Sequence, residues 1–181
     1  EARLPAAHRR ERVSVLDKLA RQSLRLGDRA DEYFPLEMWH ETGAQKDGTL
    51  QRTTGFVDSL ADLVLSGPHL FTGNPLSKTL RRVAVKNSDY DVLDLDQISD
   101  NYLPRSNYRP ACDAASYVSR VPRVSWLEAG DKKARPVTAY WRVASRRGAN
   151  PANERSLKPA LLPPGVAHIN GVFSVAFMDS Q

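Results

Sequence analysis

The residues whose types and spacing could do chemistry fall in three stretches. Residues 66–79, SGPHLFTGNPLSKT, bring His69, Asn74 and Lys78 together, with Arg81 and Arg82 just beyond. Gly67-Pro68 and Asn74-Pro75 are turn signals, because proline fixes φ and glycine permits positive φ. A rigid basic loop on a scaffold is a recognition surface. The same residues also read as a sharp connection between two elements. Residues 100–110, DNYLPRSNYRP, combine Arg105, Asn107 and Arg109 with Tyr102 and Tyr108. Arginine suits guanine, asparagine suits adenine, and tyrosine stacks on a base, which puts Arg105 and Asn107 first. The alternative is a proline-stiffened crossing loop whose tyrosines pack into the body. Residues 120–158 hold ten Lys/Arg against three acids, a local net charge of +7. Arg142, Arg146 and Arg147 lie there, interleaved with Trp126, Tyr140 and Trp141. That mixture suits phosphate contact and stacking, and equally a twisted sheet with a wet outer face.

Other chemistries fail on spacing. Glu37, His40 and Glu41 do not form HExxH, so the charges at the end of an element explain them better than a metal site. Asp89, Asp91, Asp94, Asp96 and Asp100 lack the central glycine and final glutamate of an EF-hand loop. Alternating with Tyr90, Val92, Leu93, Leu95 and Ile98, they predict a half-buried strand with an acidic outer face. GxGxxG, P-loop and GxSxG patterns are absent. Asn74-Pro75-Leu76-Ser77 lacks the second proline and the aromatic of the Asn-Pro-Pro-Tyr/Phe motif of amino-methyltransferases, and no glycine-rich cofactor loop precedes it. No catalytic, cofactor or metal residue is assigned.

The elements that must position these residues are set by periodicity and turn chemistry. At 181 residues and 41% apolar, the chain has material for one core. The net charge of +5 favours an anionic partner. The single cysteine, Cys112, excludes an internal disulfide and fits a reducing compartment. No apolar run approaches the ~18 residues of a membrane span and no signal peptide is recognisable, so a cytoplasmic location without a membrane partner is expected. The start at Glu1 and the alternating run at residues 174–177 suggest part of a longer polypeptide. Val13, Leu16, Leu19 and Ala20 predict a helix stopped by Gly27, with Arg9, Arg10, Arg12, Lys18, Arg21 and Arg25 on its other face. Residues 1–33 thus form a helical segment and residues 34–181 an α+β domain, incomplete at its C-terminus. Within it, Lys46-Asp47-Gly48 predicts a hairpin into residues 49–54. Residues 57–65 are open between helix and strand. Residues 83–85 predict a short strand and residues 111–120 an amphipathic helix. Residues 160–162 and 169–177 predict two buried strands joined by the Pro163-Pro164-Gly165 turn.

The runs SGPHLFTGNPLSKT, YDVLDLDQISDNYLPRSNYRP, RVSW and LLPPGVAHINGVFSV resemble the later, non-catalytic part of large adenine-specific DNA methyltransferases of restriction–modification and related phage-defence systems. The likeness covers most of the chain from about Phe34. It implies a parent enzyme with a separate domain that binds S-adenosylmethionine and carries Asn-Pro-Pro-Tyr. This chain lacks that domain's motifs. The resemblance implies a segment that contacts double-stranded DNA and packs on the methyltransferase domain of the same polypeptide. The fold expected is α+β, a mixed or mostly antiparallel sheet with a few helices. The DNA contacts expected are Asn74, Lys78, Arg81, Arg82, Arg105, Asn107, Arg109, Arg142, Arg146 and Arg147. A structural spacer and an RNA-binding or accessory module are the competing readings. A single basic cleft favours recognition, and scattered basic residues favour the spacer.

Overall fold

The computed structural model describes residues 10–23, 25–70, 76–82, 86, 88–148 and 159–178. The chain divides into two compact units, residues 1–30 and 31–181. In the first, helix α1 (Arg10–Ala20) is followed by a 3-10 turn over Leu26–Arg29. Gly27 lies inside that turn and does not stop α1. The helix has already ended, tightened by a bond from the Gln22 amide to the Leu19 carbonyl.

The second unit is α+β. Its strands are β1 (Tyr33–Leu36), β2 (Leu50–Gly55), β3 (Val64–Leu65), β4 (Lys78–Leu80), β5 (Tyr90–Val92), β6 (Ser106–Pro110), β7 (Arg142–Arg146), β8 (Ala160–Leu162), β9 (Ala167–His168) and β10 (Val172–Phe177). Helices α2 (Glu41–Lys46) and α3 (Ala114–Arg120) complete it. An antiparallel sheet runs β1-β10-β7-β8. Pairs β2-β6 and β4-β5 are antiparallel, and β3-β9 is parallel.

Alternation along the strands decides which face is buried. On β10, Val172, Ser174 and Ala176 point inward while Phe173 and Phe177 are exposed. Strand β3 feeds two cores from its two faces. Val64 packs with Leu36, Met38, Leu50 and Tyr117, and Leu65 with Leu70, Leu162, Val166 and Val172. Each fully buried aliphatic side chain contributes about 1.5–3 kcal/mol over its exposed state. Both helices are capped from outside their apolar face. His40 Nδ1 accepts from the Gly43 amide at 3.3 Å and Asp113 Oδ1 from the Ser116 amide at 3.0 Å.

Several local expectations need correcting. Gly48, at φ +71, links α2 to β2, so no hairpin closes there, and β2 pairs instead with β6. Residues 57–65 form neither one helix nor one strand, but a 3-10 turn (Leu60–Asp62) and the short β3. The acidic alternation sustains a strand only over β5. The last backbone bond of this pairing among the described residues runs from the Leu93 amide to the Ser77 carbonyl at 2.8 Å, and beyond it the chain turns. The C-terminal strands β8 and β10 do not pair with each other. Both flank β7, and β9 intervenes. Residues 83–85 lie outside the described residues. Among the described residues, no helix is long and apolar enough to cross a membrane.

Candidate functional site

A polar cleft of about 540 Å³ gathers residues from distant parts of the chain. The 3-10 turn over Gly67–Leu70 supplies one wall, with Arg52 of β2 and Asn107 and Tyr108 of β6 beside it. Arg146, Arg147 and the Asn170-Gly171 turn also line the cleft, Gly171 and Arg146 directly against Gly67. Gly67 and Gly171 are dictated by sterics. A Cβ on Gly67 would sit 3.2 Å from the Gly171 carbonyl oxygen, and one on Gly171 3.1 Å from the Gly67 nitrogen. The Arg147 amide bonds the same Gly171 carbonyl at 3.1 Å, which anchors the end of β7 to this turn.

Beneath the cleft lies a closed hydrogen-bond network. The Ser66 amide donates to His69 Nδ1 at 3.1 Å, so Nδ1 is the acceptor and Nε2 carries the proton, which goes to the Arg105 carbonyl at 2.9 Å. Ser66 Oγ lies 3.1 Å from Nδ1 and 2.9 Å from the Tyr90 hydroxyl. The pair looks like a serine activated by a histidine. Yet the Nδ1 lone pair is already taken by an amide, and both residues are buried. Burial drives the His69 pKa down, holding the ring neutral. This is a structural clasp, not a nucleophile and base.

The cleft's tyrosines are neutral hydroxyls at physiological pH. Burial raises Tyr90, and burial with the Glu41 carboxylate raises Tyr108, which donates to Glu41 Oε1. Thr54 Oγ1 holds Asn107 Oδ1 at 2.8 Å, and Glu37 pairs with Arg147 at 2.9 Å. Glu37, His40 and Glu41 therefore part company: an ion pair, a helix cap and a tyrosine acceptor. Three arginines, amides and hydroxyls thus share one cavity with the Glu41 carboxylate, and Arg147 is paired with Glu37.

The residues expected to touch DNA separate clearly. Asn107, Arg146 and Arg147 line the cleft. Asn74 lies outside the described residues. Lys78 opens β4, and Arg81 is exposed but paired with Asp91 at 3.0 Å, with the exposed Arg82 beside it. Arg105 is turned to structural use. Its NH1 donates to the Leu80 carbonyl at 2.9 Å and its guanidinium lies 4.4 Å from the Phe56 ring centre. Arg109 donates to the Phe56 carbonyl, with Nε buried. Arg142 contradicts expectation outright. It is 1% exposed on the inner face of β7, where the period-two register points it into the core. Trp126 and Tyr140 are likewise buried, sharing Glu128 Oε1 at 2.9 and 2.8 Å, so they are no stacking platform. Arg52, Tyr90 and Asn170 join the cleft without being expected there. Asn170-Gly171 carries a readable turn signal, but nothing in the sequence around Arg52 or Tyr90 marks a cleft.

The two buried histidines set an acid limit. His168 Nε2 lies 2.7 Å from Ser174 Oγ, and burial with the nearby Arg142 charge lowers its pKa to about 3. Folded pKa values below the usual 6.5 mean that the unfolded chain binds more protons. Stability is thus complete above pH 6.5 and falls as pH drops below it, by up to about 1.4 kcal/mol per pH unit for each histidine. Asp47 and Asp113, held below 3.8 by their hydrogen bonds to Thr49 and Ser116, lose their contribution only near and below that value. Urea unfolding from pH 7.5 to 5 should show the histidine slope, and His69→Gln should remove about one proton from it. A flat profile across that range would show that the rings take up protons in the folded chain as readily as in the unfolded one.

Comparison with protein-family models, with curated proteins and with solved structures finds no match to this chain.

Proposed function

We propose that this chain is a DNA-recognition segment of a site-specific adenine-N6 DNA methyltransferase of restriction–modification type, with the catalytic domain outside it. One observation carries the reading: Arg52, Asn107 and the Arg146-Arg147 pair, from three separate stretches of sequence, converge on one polar cleft. A basic cleft with amide and hydroxyl donors suits duplex DNA, the arginines meeting phosphates and Asn107 a base edge. The resemblance in sequence supplies the reaction, transfer of a methyl group from S-adenosylmethionine to adenine. The sequence holds no glycine-rich cofactor loop, and two of the cleft's glycines, Gly67 and Gly171, close on each other's backbone. Methyl transfer is therefore assigned to no residue here, and a partner domain of the same polypeptide supplies it to an adenine turned out of the duplex.

A spacer role has its own support in residues 100–110. There Arg105 and Arg109 are spent on backbone carbonyls, so that stretch shapes the domain more than it reads bases. Fluorescence anisotropy with a labelled duplex, repeated across salt concentrations, tests the proposal. Binding should weaken steeply with salt, each neutralised phosphate contributing about 0.9 to the logarithmic slope. The same chain with S-adenosylmethionine should transfer no methyl group. Salt-independent binding, preference for single-stranded RNA, or measurable transfer would each overturn it.

A further inference from the structure

On a different face, an open groove of about 330 Å³ is lined by Leu60, Leu76, Leu93, Leu95, Ile98 and Leu162, among other apolar residues. Leu60, Leu95 and Ile98 are exposed. Contiguous exposed apolar surface of this kind marks an interaction site. Its charge surroundings are mostly acidic. Asp58, Asp62, Asp94, Asp96 and Asp100 all lie within two positions of a groove-lining residue and are exposed or half-exposed. Within the same span the basic residues are the half-buried Lys78 and Arg105, whose guanidinium donates to the Leu80 carbonyl.

We propose that this groove docks an amphipathic helix of a partner protein whose apolar stripe is flanked by lysine or arginine. The acidic border repels nucleic acid and anionic lipid surfaces alike. A small polar ligand would find few groups to orient it, because among the described residues Tyr102 alone brings a polar side chain to the lining. A helix places anchors at i, i+3, i+4 and i+7 in such a groove, and its basic flanks meet the aspartates. The cleft and the groove are separate surfaces, so neither reading depends on the other.

The test uses the full chain and two synthetic helical peptides with the same leucine stripe, one flanked by lysines and one by glutamates. Titration calorimetry should find the lysine peptide binding at least about tenfold more tightly, a difference that shrinks with salt. Leu95→Ser with Ile98→Ser, both at exposed positions, should weaken it at least about tenfold while the circular dichroism spectrum is unchanged. Equal binding of the two peptides, no binding of either, or unchanged affinity in the double variant would overturn the proposal. So would sedimentation showing a dimer that the double variant dissociates, since a second copy would then be the occupant.

Discussion

Reversing Arg146 and Arg147 to glutamate is expected to weaken duplex binding about 100-fold at low salt, and to do so equally for all sequences. Both side chains stand on the rim of the polar cleft where β7 ends, and a Cβ built on Gly67 would lie 3.7 Å from Arg146 Nε. Charge there acts on phosphates, which carry no sequence information. Losing two contacts should also lower the logarithmic salt slope by about 1.8. The folding cost is small. Arg147 gives up an exposed pair with Glu37, worth at most about 1 kcal/mol. Lys132→Glu with Lys133→Glu, exposed and away from the cleft lining, is the control and should change affinity far less. Anisotropy with specific and scrambled duplexes measures all of this. If the Arg146/Arg147 reversal binds like the parent at low salt, the cleft is a solvated surface and recognition must be sought elsewhere.

The α+β class was legible because strand alternation and turn residues are local signals. Val172 to Phe177 alternates, and Asp113 caps α3 where the sequence turns helical. Pairing was not legible. The Asp47-Gly48 turn is chemically suited to a hairpin, yet β2, the strand it leads into, pairs with β6 far along the chain. Local turn chemistry permits a hairpin but cannot choose a partner. The site shows the same limit. Arginines at 142 and 146 are equivalent as letters, and only the strand register and its end separate a core residue from a rim residue. The charge excess of residues 120–158 therefore overstated the exposed basic surface. Arg120 and Arg123 donate to backbone carbonyls, Arg135 pairs with Asp131, and Arg142 is buried. His69 reads in the sequence as a polar loop residue, but its role is to lock that loop to residue 105 from below.

That buried arginine is also where the largest stability effect is expected. Arg142 NH2 donates to the Val166 carbonyl, while Nε and NH1 have no partner among the described residues. Burial lowers its pKa to about 10, which still leaves the group charged at neutral pH. A charge held in the core by one hydrogen bond is costly, yet its long side chain is fully buried and occupies core volume beside Val166. Arg142→Ala should therefore destabilise by about 3–5 kcal/mol, through an unfilled cavity and an orphaned Val166 carbonyl. That is a large share of the ~5–15 kcal/mol that holds an ordinary domain folded. Arg142→Met refills much of the volume without a charge, and should recover most or all of the loss. It should also let the His168 pKa rise, since the Arg142 charge is one of the two causes holding it down, and so make the acid limb of stability shallower. Urea unfolding at pH 7 and pH 5 reads both effects, and DNA affinity of the methionine variant should match the parent. If the methionine variant is as unstable as the alanine one, the guanidinium supplies interactions the fold requires. If it folds normally but binds DNA tenfold more weakly, Arg142 belongs to the interface after all.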